Sequence, residues 1–134
     1  MALDRDAAAP QARVSVFRSL GDIAPLPIWS GILARVVEGK DITFAIVELD
    51  AGAVAARHQH ANEQLGIVLR GTMTFDIGGD VRDLRAGDTY EIPSNVWHEA
   101  TAGPEGAVVI DVFAPIRADW HRFTATEKRT PIWP

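Results

Sequence analysis

The sequence predicts an all-β protein, an antiparallel sandwich or barrel built as one domain. Three observations carry this expectation. Short runs of β-branched and apolar residues recur along the chain, turn signals rich in glycine and proline cut them at regular spacing, and only one weak stretch suits a helix. With 134 residues, the chain is long enough for one core and too short for two.

The elements follow in order. Residues 1–12 are polar and Ala-rich with one proline, and read as a flexible N-terminal tail ahead of a domain spanning 13–134. After the short run Val14-Ser15-Val16-Phe17, Pro25 and Pro27 punctuate residues 21–30 and favour an extended crossing segment over a helix. Residues 42–49 read as a strand that Asp50-Ala51-Gly52 ends. A run at 65–69, a turn at Arg70-Gly71 and a second run at 73–77 come next. Gly78-Gly79-Asp80 is a hairpin signal, because tight hairpins need positive φ. Residues 81–84 return, Arg85-Ala86-Gly87-Asp88 turns again, 89–92 leads to Pro93-Ser94-Asn95, and 107–113 is a last long strand. A short helix fits only 118–128. Residues 130–134, with Trp133 and two prolines, suit an extended arm on the barrel or on a second subunit.

Composition narrows the function. A net charge of −5 opposes a nucleic-acid partner, since phosphate recognition needs a basic excess, but a local basic pocket for one carboxylate is compatible with it. The absence of cysteine removes disulfides, thiolate ligands and thiol nucleophiles, leaving His, Gln, Asp and Glu for any metal. Neither a secretory signal nor a membrane-spanning run is evident, so the expected location is cytoplasmic.

His58 and His60 stand two residues apart, a spacing that places both on one face of a strand and starts a divalent-metal site. A lone His-x-His is usually without function; the frame around it changes its weight. Gly52 precedes His58 by six residues, Gly71 follows Gln64 by seven, and the later segment from Gly87 through Pro93 to His98 supplies a third histidine.

With these residues the sequence resembles the cupin family, whose motifs are G-x5-H-x-H-x3,4-E-x6-G and G-x5-P-x-G-x2-H-x3-N. The matches lie at 52–71 and 87–102, within a resemblance that covers about 42–113. It implies a jelly-roll (double-stranded β-helix) barrel with one divalent ion (Zn, Ni, Mn or Fe) per subunit, and a homodimer. Three departures stand out. Gln64 occupies the glutamate position with Glu63 one residue early, Asn95 replaces a glycine, and Ala102 replaces the asparagine. Asn95 is tolerable because Asn enters the left-handed region readily. Three imidazoles and a carboxamide leave the 2+ charge uncompensated, which makes a stronger Lewis acid and a weaker metal binder. Ligation by Glu63 would require a local bulge, since alternation turns it to the other face.

Downstream, Asp111 sits in an apolar strand on the same face as Val109 and Phe113, which favours an inward carboxylate with a raised pKa over a solvated one. Arg117 lies four residues beyond Phe113, within reach of the barrel mouth, where it could fork onto a carboxylate. The series His-x-His-x-x-Glu-Gln, Pro-x-x-x-x-His and Asp-x-Phe-x-x-x-Arg is similar to the KdgF type, cupins of pectin and alginate degradation that open unsaturated uronate rings. That resemblance implies His58, His60, Gln64 and His98 as metal ligands, with Asp111, Phe113 and Arg117 lining the substrate site. It also implies a small anionic sugar acid as substrate, turned over by addition of water and ring opening. An oxygen-using cupin with iron or copper and a non-catalytic sugar sensor are the competing readings. His121 reads as a surface or packing histidine, Tyr90 as core packing, Trp97 as barrel wall or a border of the pocket, and Arg70 as a residue on the Gln64 face.

Overall fold

A computed structural model describes residues 16–134; the N-terminal tail expected at 1–12 lies outside them. Among the described residues, eight strands and two short 3-10 turns follow one another: η1 (Leu20–Asp22), β1 (Leu26–Trp29), β2 (Ile32–Glu38), β3 (Thr43–Leu49), β4 (Val54–His58), β5 (Glu63–Ile77), β6 (Asp80–Arg85), β7 (Thr89–Ile92), β8 (His98–Ala114) and η2 (Ala118–Arg122). Every strand pair is antiparallel, in the order β1-β2-β3-β8-β5-β6, with β4 added to β8 and β7 to β5. This is the all-β architecture the turn spacing predicts.

Two long strands make the barrel. The C-terminal half of β8 lies between β3 and the first half of β5, whereas its N-terminal half lies between β4 and the second half of β5. Each strand therefore leaves one sheet and enters the facing one. The Arg70-Gly71 turn expected between two separate strands is not present. β5 runs through it, and the register shifts at Val68/Arg70 and Gly71/Met73 instead. Bulges of this kind bend a strand without ending its pairing. Gly71 is required at the corner: its φ is +76°, and a Cβ there would overlap the Gly106 carbonyl of β8.

The smaller turns agree with expectation. Gly78 and Gly79 both have positive φ and join β5 to β6 with Ile77 opposite Asp80. Asn95 is left-handed at φ 63°. The segment with Pro25 and Pro27 is extended as β1, an edge strand, where a missing N–H is tolerated. Two boundaries differ. β8 begins at His98 and not near residue 107, since Ala100 and Ala102 continue the buried alternation of its second half. The expected helix at 118–128 shrinks to η2, because the following residues run as an extended strap in which the Thr126 N–H donates to the Pro25 carbonyl.

Inward-facing Ile32, Ala34, Val47, Val68, Met73, Phe75, Val109 and Phe113 fill the barrel. The C-terminal arm packs outside it. The Ile132 N–H donates to Glu48, and its carbonyl accepts from Arg70. Glu48 and Arg70 flank Val108 in register, so the arm crosses Val108, which is fully buried although it points outward. No helix among the described residues is long and apolar enough to cross a membrane.

Candidate metal centre and adjoining cavity

His58 closes β4, His60 sits in the loop after it, and His98 opens β8 directly opposite His58. One ring nitrogen from each lies within 4.8 Å of the others. The arrangement of the three rings is fixed by their other nitrogens. Nδ1 of His58 donates to the Ala56 carbonyl at 2.6 Å, that of His60 to Asn62 at 2.9 Å, and that of His98 to Val96 at 2.8 Å. With the proton committed to Nδ1, each Nε2 keeps its lone pair, the tautomer that metal-ligating histidines show. Burial pushes all three rings below the usual imidazole range, His98 to about 4. Neutral imidazoles are what a divalent ion needs, and these three could hold one.

Gln64 projects inward from β5 and is buried, whereas Glu63 is exposed on the other face, as alternation predicts. The Gln64 carboxamide has a defined orientation. Its Nε2 donates to Asp111 Oδ1 at 3.0 Å, which leaves Oε1 directed at His60 Nε2, 3.1 Å away.

Asp111 points inward with Val109 and Phe113. It accepts hydrogen bonds from Gln64 and from the Tyr90 hydroxyl, the latter at 2.6 Å. Burial raises its pKa, with Tyr90, Gln64 and the Arg117 cation acting in the opposite direction. Phe113 packs edge-on to His60 and to Trp120. Arg117 lies with its guanidinium 4.7 Å from the Phe113 ring centroid and 4.4 Å from that of Trp120. It already holds a carboxylate, that of Asp119. The Asn62 amide ties this region together: it donates to the Pro115 and Ile116 carbonyls, so the loop carrying His60 is fastened to the segment carrying Arg117.

All seven residues singled out as ligands or substrate contacts line one cavity of about 330 Å³, the size of a small-molecule site. Trp29, Trp120 and Phe123 add an aromatic wall, with Trp29 5.3 Å from the His58 ring. None of these three falls within the motifs, so spacing gave no reason to select them.

Three sequence expectations require correction. Arg70 does not share the Gln64 face, because the bulge at Val68/Arg70 breaks the alternation and sends its side chain out to the C-terminal arm. Trp97 is no barrel wall: it precedes β8, is 46% exposed, and carries the Arg57 guanidinium 5.3 Å above its ring. Tyr90 is buried as expected, but its hydroxyl belongs to the Asp111 cluster and does more than fill the core. His121 is a surface histidine paired with Glu38.

Comparison with known proteins adds a second line of observation. Residues 45–113 match the model of the cupin domain family. The pectin degradation protein KdgF of Dickeya dadantii is 33% identical over 92 residues, covering 67% of this chain and 84% of that protein. Among solved structures, KdgF from Halomonas sp. superposes with a TM-score of 0.72 at 30% identity, covering 79% of this chain and 98% of that one. An RmlC-like cupin from Shewanella frigidimarina gives 0.74 at 26% identity, covering 80% and 96%.

Proposed function

Since the chain belongs to the cupin family, we propose that it is a metal-dependent enzyme that opens the ring of a 4,5-unsaturated monouronate to a linear keto acid. The observation that carries this reading is the Asp111 carboxylate, buried and hydrogen-bonded through Gln64 toward the three histidines, in one cavity with the Arg117 guanidinium. A carboxylate able to carry a proton, a histidine cluster able to hold an ion and a guanidinium able to receive an anion thus surround one small-molecule space.

His58, His60, His98 and Gln64 would be the ligands. The support for Gln64 is a conflict that a cation resolves. His60 Nε2 and Gln64 Oε1 both present lone pairs, because their N–H groups are committed to Asn62 and Asp111, yet they face each other at 3.1 Å. A divalent ion shared by the two would remove that conflict, because both lone pairs would be directed at the ion. A divalent ion held there supplies Lewis acidity toward a substrate oxygen.

The remaining steps are assigned to side chains. Arg117 pairs with the substrate carboxylate, and Phe113 packs against the ring. Asp111 carries a proton to the ring carbon at position 4. The hemiacetal bond between C1 and the ring oxygen breaks, the C1 hydroxyl loses its proton as C1 becomes an aldehyde, and C5 becomes a ketone. One proton leaves and one enters, and any water added at C5 is released as C5 becomes a ketone, so the product is an isomer of the ring. No electron is transferred to an external acceptor.

The test follows the absorbance of lyase-generated 4,5-unsaturated monouronate with metal-loaded protein, chelated protein and Asp111→Asn. Loss of the conjugated band that needs both metal and Asp111, without oxygen uptake, is the expected result. An unchanged band with fully loaded protein would overturn the reading. Oxygen uptake would point to an oxygen-using cupin, and ligand binding without product to a sensor.

A further inference from the structure

Tyr90, Gly66 and Asp111 occupy one row of the sheet, on the neighbouring strands β7, β5 and β8: Gly66 is the register partner of Tyr90 on one side and of Asp111 on the other. Tyr90 and Asp111 are therefore two strands apart, about 10 Å between backbones, and their side chains meet only if nothing rises from the strand between them. Gly66 provides that gap. A Cβ at this position would overlap Cζ, Cε2 and Oη of the Tyr90 ring. The phenol lies across the glycine, and Phe75 stacks on it with ring centroids 4.2 Å apart.

The hydroxyl reaches Asp111 Oδ1, the same oxygen that accepts from Gln64. Oδ2 accepts from none of the described residues, yet it is not a sealed, unpaired atom, since Arg35 Nε alone among the described side chains has that character. Oδ2 is thus open to the cavity that Asp111 lines. An Asp carboxylate with two equivalent oxygens can rotate about its last bond. Two donors on one oxygen fix its plane and lower the basicity of that oxygen, so the other becomes the one that exchanges a proton.

We propose that Tyr90 is a positioning residue for Asp111, holding Oδ1 so that Oδ2 faces the substrate, and that Gly66 is the slot through which it acts. This rests on the ring-opening reading, in which Asp111 moves the proton. Burial and the neighbouring Asp111 charge hold the Tyr90 proton on its own oxygen well above the usual phenol range, so Tyr90 stays a hydrogen-bond donor to Asp111.

Tyr90→Phe removes the hydroxyl and keeps the ring, its stack on Phe75 and its seat over Gly66. The experiment compares the metal-loaded full chain with Y90F on 4,5-unsaturated monouronate, with rates expressed per metal-loaded protein so that incomplete folding cannot imitate a catalytic loss. The expected result is a kcat lower by about 10- to 100-fold, the scale on which groups that orient a reacting side chain act. KM should stay within about twofold of wild type. Metal content, and affinity for a saturated uronate measured by calorimetry, should not change. A wild-type kcat in Y90F would overturn the proposal, as would a loss that appears only as lower metal content or weaker uronate binding. Wild-type protein without turnover would instead remove the ring-opening reading itself, and this assignment with it.

Discussion

Asp119 holds the guanidinium of Arg117 side-on, with its carboxylate oxygens 3.0 Å from Nε and 2.9 Å from Nη2. The fork expected to receive a substrate carboxylate is thus occupied along one edge by a carboxylate of the protein. Asp119 is not what fixes the plane of the group, since Phe113 and Trp120 both lie against it. Its side chain is 48% exposed, and a solvated pair contributes at most about 1 kcal/mol. The main effect of Asp119 on an incoming anion is therefore its charge. Asp119→Asn should lower KM for the anionic sugar acid by about two- to fivefold, the equivalent of that energy, and leave kcat unchanged. Steady-state kinetics decides this, and a raised KM would assign Asp119 an orienting role instead.

Gln64 and Glu63 can be separated by metal affinity. Gln64 is buried with its oxygen toward His60, while Glu63 lies on the exposed face of the same strand. Gln64→Leu should weaken zinc binding by about 10- to 100-fold in a competition titration. Glu63→Gln should leave it unchanged. The reverse pattern would require β5 to bulge at its first residue, where Glu63 pairs with Ala114 of β8 and no register shift occurs before Val68.

What the sequence made legible was whatever depends on periodicity and short-range spacing. Alternation is enough to send Gln64 and Asp111 inward, and the Gly78-Gly79 pair is enough to place a hairpin. It failed for Arg70, because a one-residue bulge reverses every face beyond it and leaves no mark in composition. Tyr90 was underread for a different reason. Its role depends on Gly66, which separates it from Asp111 two strands away, and the three residues become neighbours only through pairing. Trp29, Trp120 and Phe123 reach the cavity from β1, η2 and the start of the C-terminal strap, elements outside the motif segments. A signal for them existed only in their aromatic character.

The histidines give a pH dependence whose direction follows from their burial. In metal-free protein His98 titrates at about 4, against 6.5 for an unperturbed ring, and His58 and His60 are shifted the same way. Between these values the unfolded chain binds more protons than the folded one, so stability rises with pH. As pH falls from about 6.5 toward 4 the metal-free protein should therefore lose stability, with the loss complete below the folded values. Asp111 acts oppositely, since its raised pKa makes the folded state bind the extra proton. Thermal melts of chelated protein test this. The His98→Gln variant should show a flatter slope over that window, and an equal slope would mean that His98 is not the group responsible.

A buried ion pair outside the cavity, Arg35 with Glu48, holds the C-terminal arm to the barrel. Arg35 is fully buried on the outer face of β2, with Nη1 2.6 Å from Glu48 Oε2 and Nη2 donating to the Arg129 carbonyl at 2.9 Å. The same Glu48 oxygen accepts from the Ile132 N–H. One carboxylate thus neutralises a buried cation and anchors the C-terminal arm that excludes water from it. Glu48→Ala removes both at once, leaving a buried charge unpaired, a change that costs about 3–5 kcal/mol. For a domain of this size that corresponds to a melting temperature lower by roughly 11–18 °C. Replacing both partners, Arg35→Met with Glu48→Leu, removes the charge together with its counter-charge. The double variant should recover most of the loss, because apolar substitutes for a buried ion pair are often neutral or stabilising. Should it instead melt no higher than Glu48→Ala, the contribution of Glu48 would lie in holding the arm through Ile132 and not in neutralising Arg35.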